Sequence, residues 1–190
     1  MRLQAKHIQA VLTLFGQASP QQKLAAAVVL LTAVLGWWFG TSASQDTIQG
    51  KVVAVADGDT VTVQDITMSQ HRIRMAFIDA PEKAQPHGDE AKQHLSGQVL
   101  GQTVTVDVIE KDRYGRTVGR VRLAGADVNY DMVRQGLAWH YTQYAKKQAS
   151  SDYARYQQAQ KLAEQQGTGL WQQANPTPPW DFRQQKRAAQ

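Results

Sequence analysis

Hydrophobic and polar positions change their period several times along this 190-residue chain. Residues 24–40 form a run of 17 without a charge, at the short end of what crosses a bilayer as a helix. From Thr47 the period drops to two. Val53 and Val55 alternate with smaller residues, Asp57-Gly58-Asp59 supplies turn chemistry, and Val61 and Val63 resume the alternation, which predicts a hairpin. Residues 71–78 predict a third strand, ended by Asp79-Ala80-Pro81 because proline cannot donate to the ladder. Val104, Val106 and Val108 alternate strictly within residues 103–109, and Tyr114-Gly115 turns the chain into a fifth strand through Leu123. Helical spacing governs residues 89–100, where Ala91, Leu95 and Val99 share a face, and returns over 128–137. Over 151–166 it brings Tyr153, Tyr156, Ala159 and Ala163 near one stripe that Gly167 ends. The tail from Asn175, with Pro176, Pro178 and Pro179, reads as extended.

Five strands interrupted by one helix and followed by others predict a mainly β, α+β fold. The expectation is a five-stranded OB-fold barrel carrying about three helices and preceded by an N-terminal hydrophobic helix. At 42% hydrophobic residues, a chain of this length can bury one core. The expected division is a leader over 1–23, a hydrophobic span over 24–40, a linker over 41–46, the OB-fold domain over 47–173 and a Pro-rich basic tail over 174–190. Arg2, Lys6 and Lys23 precede the span and the next base is Lys51, so the positive-inside bias places the N-terminus in the cytoplasm. The domain is then expected outside the cytoplasm, on the periplasmic side, tethered to the inner membrane through residues 24–40. The alternative is a signal segment cleaved near Thr41-Ser42-Ala43, releasing a secreted protein.

The net charge of +5 and pI of about 9.5 favour anionic partners. Three of the bases lie in the acid-free first forty residues, so any nucleic-acid footprint on the folded body must be a local patch. No cysteine is present, which excludes disulfides and thiolate metal sites.

Four carboxylates, Asp57, Asp59, Asp79 and Glu82, gather at the two ends of one strand-like run. A calcium ion takes about six to eight oxygens, several from water and backbone, so two or three protein ligands on a rim suffice. Asp59 and Asp79 are the best pair, each at a strand terminus. Asp57 is near them, but Asp-Gly is equally a turn signature. Glu82 is placed to orient or deprotonate water. Arg72, Arg74, Arg113, Arg116, Arg120 and Arg122 are candidates to grip a phosphate, since a guanidinium fork holds two oxygens at once. Spacing does not single out two of them. Parity even puts Arg74 and Asp79 on opposite faces of a regular strand, so a bulge or strong curl is required to bring them together.

The run Asp57-Gly58-Asp59-Thr60, Arg74 five residues before Asp79-Ala80-Pro81-Glu82, Asp112-Arg113-Tyr114-Gly115-Arg116 and Val133-Arg134-Gln135-Gly136-Leu137-Ala138 together resemble the staphylococcal nuclease (thermonuclease) family. The likeness runs in order from about Ile48 to Trp171. Gly169-Leu170-Trp171 and the Pro-rich tail with Trp180 are similar to bacterial members. The resemblance implies a calcium-dependent endonuclease with little sequence specificity that hydrolyses DNA and RNA to 3'-phosphate ends. It implies Asp59 and Asp79 as carboxylate ligands of calcium, with the backbone carbonyl of Ala80, where the family commonly has threonine, and Asp57 as a further acid nearby. It implies Glu82 as the water-activating glutamate, Arg74 and Arg116 as the arginines on the scissile phosphate, and Tyr114 as a nucleotide contact, with Arg113 beside it. Tyr141 or Tyr144 is the base-stacking candidate, and the alignment does not choose between them. DNA and RNA are the expected partners of a monomer with no protein partner. The competing reading is a non-catalytic OB-fold module, tethered to the membrane, that binds nucleic acid or protein. Joint presence of Asp59, Asp79, Glu82, Arg74 and Arg116 argues against it.

Overall fold

A computed structural model describes residues 46–189, so the expected leader, the span over 24–40 and the linker up to residue 45 lie outside the described residues. Three strands come first: β1 (Thr47–Asp57), β2 (Thr60–Asp65) and β3 (Gln70–Met75). After the short β4 (Ile78–Asp79) come α1 (Gly88–Val99), β5 (Thr103–Lys111), β6 (Thr117–Leu123), β7 (Ala126–Asp127), α2 (Val128–Arg134) and β8 (Trp139–His140). A 3-10 turn at Thr142–Lys147 leads to α3 (Ser150–Gln166), a second at Gly169–Gln172 follows it, and α4 (Pro179–Ala188) ends the described chain.

The sheet runs β3-β2-β1-β5-β6-β7, and a parallel pairing of β3 with β6 closes it into a five-stranded barrel. The alternating valines explain the closure. Val61, Val63, Val104, Val106 and Val121 are fully or almost fully buried and meet Ile73 and Met75 inside. Burying each such side chain is worth about 1.5–3 kcal/mol. Ala91, Leu95 and Val99 of α1 join the same core, on the expected face. In α3, Tyr156, Ala159 and Ala163 are buried, as their stripe predicted.

In four places the chain departs from the expected pattern. In β1 the inward residue is Val52, while Val53 is exposed, because register shifts after Val52 and after Val55 break the simple alternation. The third strand is not continuous over 71–78. It stops at Met75, and Phe77, at φ 65, turns the chain before β4 pairs with β8. Asn129 stitches this bend to the barrel: its Oδ1 accepts from the Val121 amide at 2.9 Å and its Nδ2 donates to the Ala76 carbonyl at 2.9 Å. α2 ends at Arg134 rather than Leu137, and the Leu170 amide donates to the Gly136 carbonyl at 2.9 Å, tying the two loop motifs together.

The tail, finally, is not extended, so there are four α-helices among the described residues rather than about three. Pro179 opens α4 at a first-turn position, where the missing N–H costs nothing and the fixed φ already suits a helix. Asp181 in the first turn and Lys186 and Arg187 in the last complement the helix dipole. Among the described residues no helix is long and apolar enough to cross a membrane.

Candidate active site

The two acid clusters are brought together by a glycine. A Cβ at Gly58 would lie 2.7 Å from the Ala80 Cβ and 2.8 Å from the Ala91 Cβ, so only glycine lets the β1–β2 turn seat against the end of β4 and α1. Asp57 caps that turn, its Oδ1 accepting from the Asp59 amide at 3.1 Å. Asp59 thereby reaches across to Ala80, whose amide donates to its Oδ2 at 2.7 Å.

Arg74 joins both acids. Its Nη1 lies 2.9 Å from Asp59 Oδ2 and its Nη2 2.7 Å from Asp79 Oδ1, while Nη1 also donates to the Met75 and Ile78 carbonyls. The turn at Phe77 removes the parity obstacle, because Arg74 and Asp79 do not share a regular strand. Asp79 is completely buried and Asp59 nearly so. Burial pushes the Asp59 carboxyl up to about 7 against the pull of Arg74, and the charges of Asp57 and Asp79 push the same way.

Glu82 stands at the mouth with its side chain 41% exposed. Its backbone is clamped by Gln85: the Glu82 amide donates to Gln85 Oε1 and the Gln85 amide donates to the Glu82 carbonyl, both at 2.8 Å. A Cβ at Gly88 would come within 2.2 Å of the Glu82 carbonyl oxygen, so the loop folds back on itself only with glycine there. Gln85 is buried, and its Nε2 donates to the Thr177 carbonyl at 3.0 Å, coupling the Glu82 loop to the approach of α4.

From α4 comes a residue that the sequence pattern did not select. Arg183 donates to both oxygens of Asp79, at 2.7 and 3.1 Å, and to Glu82 Oε1 at 2.8 Å. Pro179 at the start of a run with acid in its first turn and bases in its last was the available signal for this helix.

The opposite bank is the turn between β5 and β6. Arg116 Nε donates to Asp112 Oδ2 at 2.7 Å, and the amides of Tyr114 and Arg116 both donate to Asp112 Oδ1 at 2.9 Å. Burial works against ionisation of Asp112, but these hydrogen bonds hold its carboxyl below the usual range. The Arg113 guanidinium lies over the exposed Tyr114 ring at 4.8 Å, and that of Arg116 at 5.7 Å. Arg120 and Arg122 are taken up by ion pairs with Asp152 and Asp107, away from the site, and Arg72 lies outside the cavity.

One cavity of about 580 Å³ is lined by every residue that the family resemblance implied: Asp57, Asp59, Asp79, Ala80, Glu82, Arg74, Arg113, Tyr114, Arg116, Tyr141 and Tyr144. Arg183 and Arg187 line it too. Tyr141 stacks on Trp180 at 5.0 Å and 5°, which covers one face of its ring, whereas Tyr144 is exposed.

The donor set suits a hard cation. Asp59 and Asp79 offer oxygen only, in a buried setting that already draws two guanidinium groups to its carboxylates. Among the described residues no group of three or more His, Cys, Asp and Glu side chains converges as a metal cluster, so a cation here would complete its shell with backbone carbonyl and water.

Comparison with known proteins finds relatives of this chain. An uncharacterized endonuclease of Escherichia coli O157:H7 is 44% identical over 140 residues, which are 73% of this chain and 87% of the relative. A micrococcal nuclease of Shigella flexneri is 35% identical over 175 residues, covering 87% of this chain and 93% of the relative. An uncharacterized 38.1 kDa protein of Capnoides sempervirens is 40% identical over 124 residues, 65% of this chain, and the chain spans only 35% of that protein's length. Residues 72–173, with Arg74, Asp79, Glu82 and Arg116 among them, match the family described as staphylococcal nuclease homologue, and the chain belongs to that family.

Proposed function

We propose that this protein is a calcium-dependent nuclease that hydrolyses phosphodiester bonds of DNA and RNA with little sequence specificity, leaving 3'-phosphate ends. The observation that carries the reading is a single cavity with paired buried acids and Arg74 on one bank, Arg116 on the other and Glu82 at the mouth. Family membership, and relatives named endonuclease and micrococcal nuclease, support a nuclease.

Asp59, Asp79 and the Ala80 carbonyl are the groups that would hold calcium, which when bound supplies charge neutralisation and orientation at the phosphate. Glu82, half exposed beside the acids, takes the proton of a water as that water's oxygen attacks phosphorus. The bond from phosphorus to the 5' oxygen breaks, and that oxygen takes a proton from solvent. Charge accumulates on the phosphate oxygens during the attack, where Arg74 and Arg116 face them from opposite sides. Arg116 suits this because Asp112 engages its Nε while its terminal nitrogens have no protein acceptor among the described residues. Tyr114 and Tyr144 are the exposed rings on which bases stack. We place the domain on the periplasmic side of the inner membrane, tethered through residues 24–40, as a monomer. That placement rests on the charge pattern around the span.

The test is incubation of the full chain with plasmid and single-stranded DNA, with calcium or with chelator. Cleavage only with calcium is the expected result, and Glu82→Gln should lower turnover about 100- to 1000-fold. A gel shift without cleavage would establish the non-catalytic module instead, and equal rates with magnesium would remove the calcium preference. Recovery of a secreted form lacking the first forty or so residues would overturn the anchor.

A further inference from the structure

Arg183 brings a further guanidinium to the site, and it holds the two side chains that the proposed reaction most needs to be free. Both oxygens of the buried Asp79 accept from it, Oδ1 sharing that role with Arg74, and Glu82 Oε1 accepts from it as well. A divalent cation on Asp79 would stand directly beside this guanidinium, like charge against like charge, and would compete for the same lone pairs. We infer that the Arg183 guanidinium and the calcium ion are alternative occupants of Asp79, so that metal binding requires Arg183 to let go of Asp79 and Glu82.

The exchange does not require α4 to leave. Three contacts hold the helix and the segment leading into it without using an acid: Trp180 stacks on Tyr141 and packs edge-on to Trp139 at 5.6 Å, and the Thr177 carbonyl accepts from Gln85. Arg183 lies one turn beyond Trp180, on the same side of the helix, with a side chain 37% exposed and able to swing. Arg187, one turn further, lines the same cavity. α4 therefore carries a row of cations along the cavity, anchored at its first turn. Arg183 neutralises the acids before metal arrives, and afterwards its charge is available to the incoming phosphate.

The inference rests on the calcium reading above, and the test separates the two. Calcium affinity of the full chain is measured by titration calorimetry for wild type, Arg183→Gln and Arg183→Lys, with thermal unfolding in chelator alongside. Removing the competitor should tighten calcium binding about tenfold, because the binding-competent fraction of the wild type is what limits its apparent affinity. Arg183→Gln should also melt at lower temperature in chelator and gain more from calcium. Arg183→Lys keeps the charge and loses the fork, so its affinity should fall between the other two. If Arg183→Gln fails to fold, the lysine variant decides alone. Affinity unchanged or weakened in the variants overturns the exchange while leaving the calcium site intact. Absence of calcium binding in wild type and variants alike overturns both.

Discussion

Arg74 and Arg116 face one cavity on opposite terms. Arg74 has a side chain 15% exposed and reaches acids in the β1–β2 turn and in β4, whereas Arg116 is 27% exposed and is bonded to an acid four residues earlier in its own turn. One arginine is part of what holds β2, β3 and β4 together at the barrel rim. The other could be lost without disturbing anything beyond the β5–β6 turn. Both banks bring a guanidinium to the cavity, but only the first has made its guanidinium a structural member.

That contrast is tested most sharply by truncating each arginine. Arg74→Ala and Arg116→Ala are both expected to lower nuclease turnover about 100- to 1000-fold. Arg74→Ala should also cost about 3–5 kcal/mol of stability, because it leaves the buried Asp59 without a cationic partner and Asp79 with Arg183 alone. Arg116→Ala should cost under about 1 kcal/mol, as for a half-buried pair within one surface turn whose acid keeps the Tyr114 and Arg116 amides. Denaturant unfolding beside an activity assay reads both, and equal stability losses would erase the distinction between the banks. A smaller effect is expected from Gly58→Ala, about 1–3 kcal/mol, since its methyl would overlap those of Ala80 and Ala91. The same substitution should weaken calcium binding by moving Asp59 away from Asp79. An unchanged melting temperature would show that the turn has more room than its contacts indicate.

The smallest effect concerns pH. Behind the first bank, His140 of β8 is buried with its Nε2 paired to Gln148 Oε1 at 2.9 Å, and burial holds its imidazole below the ordinary value of 6.5 despite that hydrogen bond. The unfolded chain takes up this proton first. Stability from His140 is therefore fully present above the unfolded value and is lost as pH falls through 6.5 toward the folded value. His140→Gln should flatten that part of the pH–stability curve, and a curve of unchanged slope would remove His140 as its source.

The barrel was legible because its code is local. Val61, Val63, Val104 and Val106 alternate, Ala91, Leu95 and Val99 repeat at helical spacing, and each pattern needs only its own segment to be read. The acids of the site were legible from their place at strand ends, but the choice among the arginines came only through the joint motifs, since no spacing rule brings Asp59 to Ala80 or Arg74 to Asp79. Those contacts depend on the turn at Phe77 and the close approach at Gly58, which are tertiary outcomes. Arg183 escaped notice for two reasons. The prolines before it resemble an extended tail, and its partners lie about a hundred residues earlier in the chain, so nothing nearby marks it as different from a solvated base. Gln85 and Asn129 were missed for a related reason: each is an amide whose importance lies wholly in which backbone groups it satisfies.

The parallel seam between β3 and β6 has a kinetic consequence. It pairs only Ile73 with Thr117, Arg74 with Val118 and Met75 with Gly119, fewer rungs than the β1–β5 ladder, yet it too joins segments far apart in the chain. A ladder that returns so little for the loop it must close is expected to zip up late. The acids of the first bank can collect on the early hairpin and its extension, but Arg116 sits one residue before this seam and comes opposite them only once it shuts. Nucleolytic competence should therefore emerge in the final step of folding, after secondary structure is complete, and a half-folded chain would be chemically inert. Stopped-flow refolding, with cleavage and circular dichroism followed together, should show activity lagging the backbone signal.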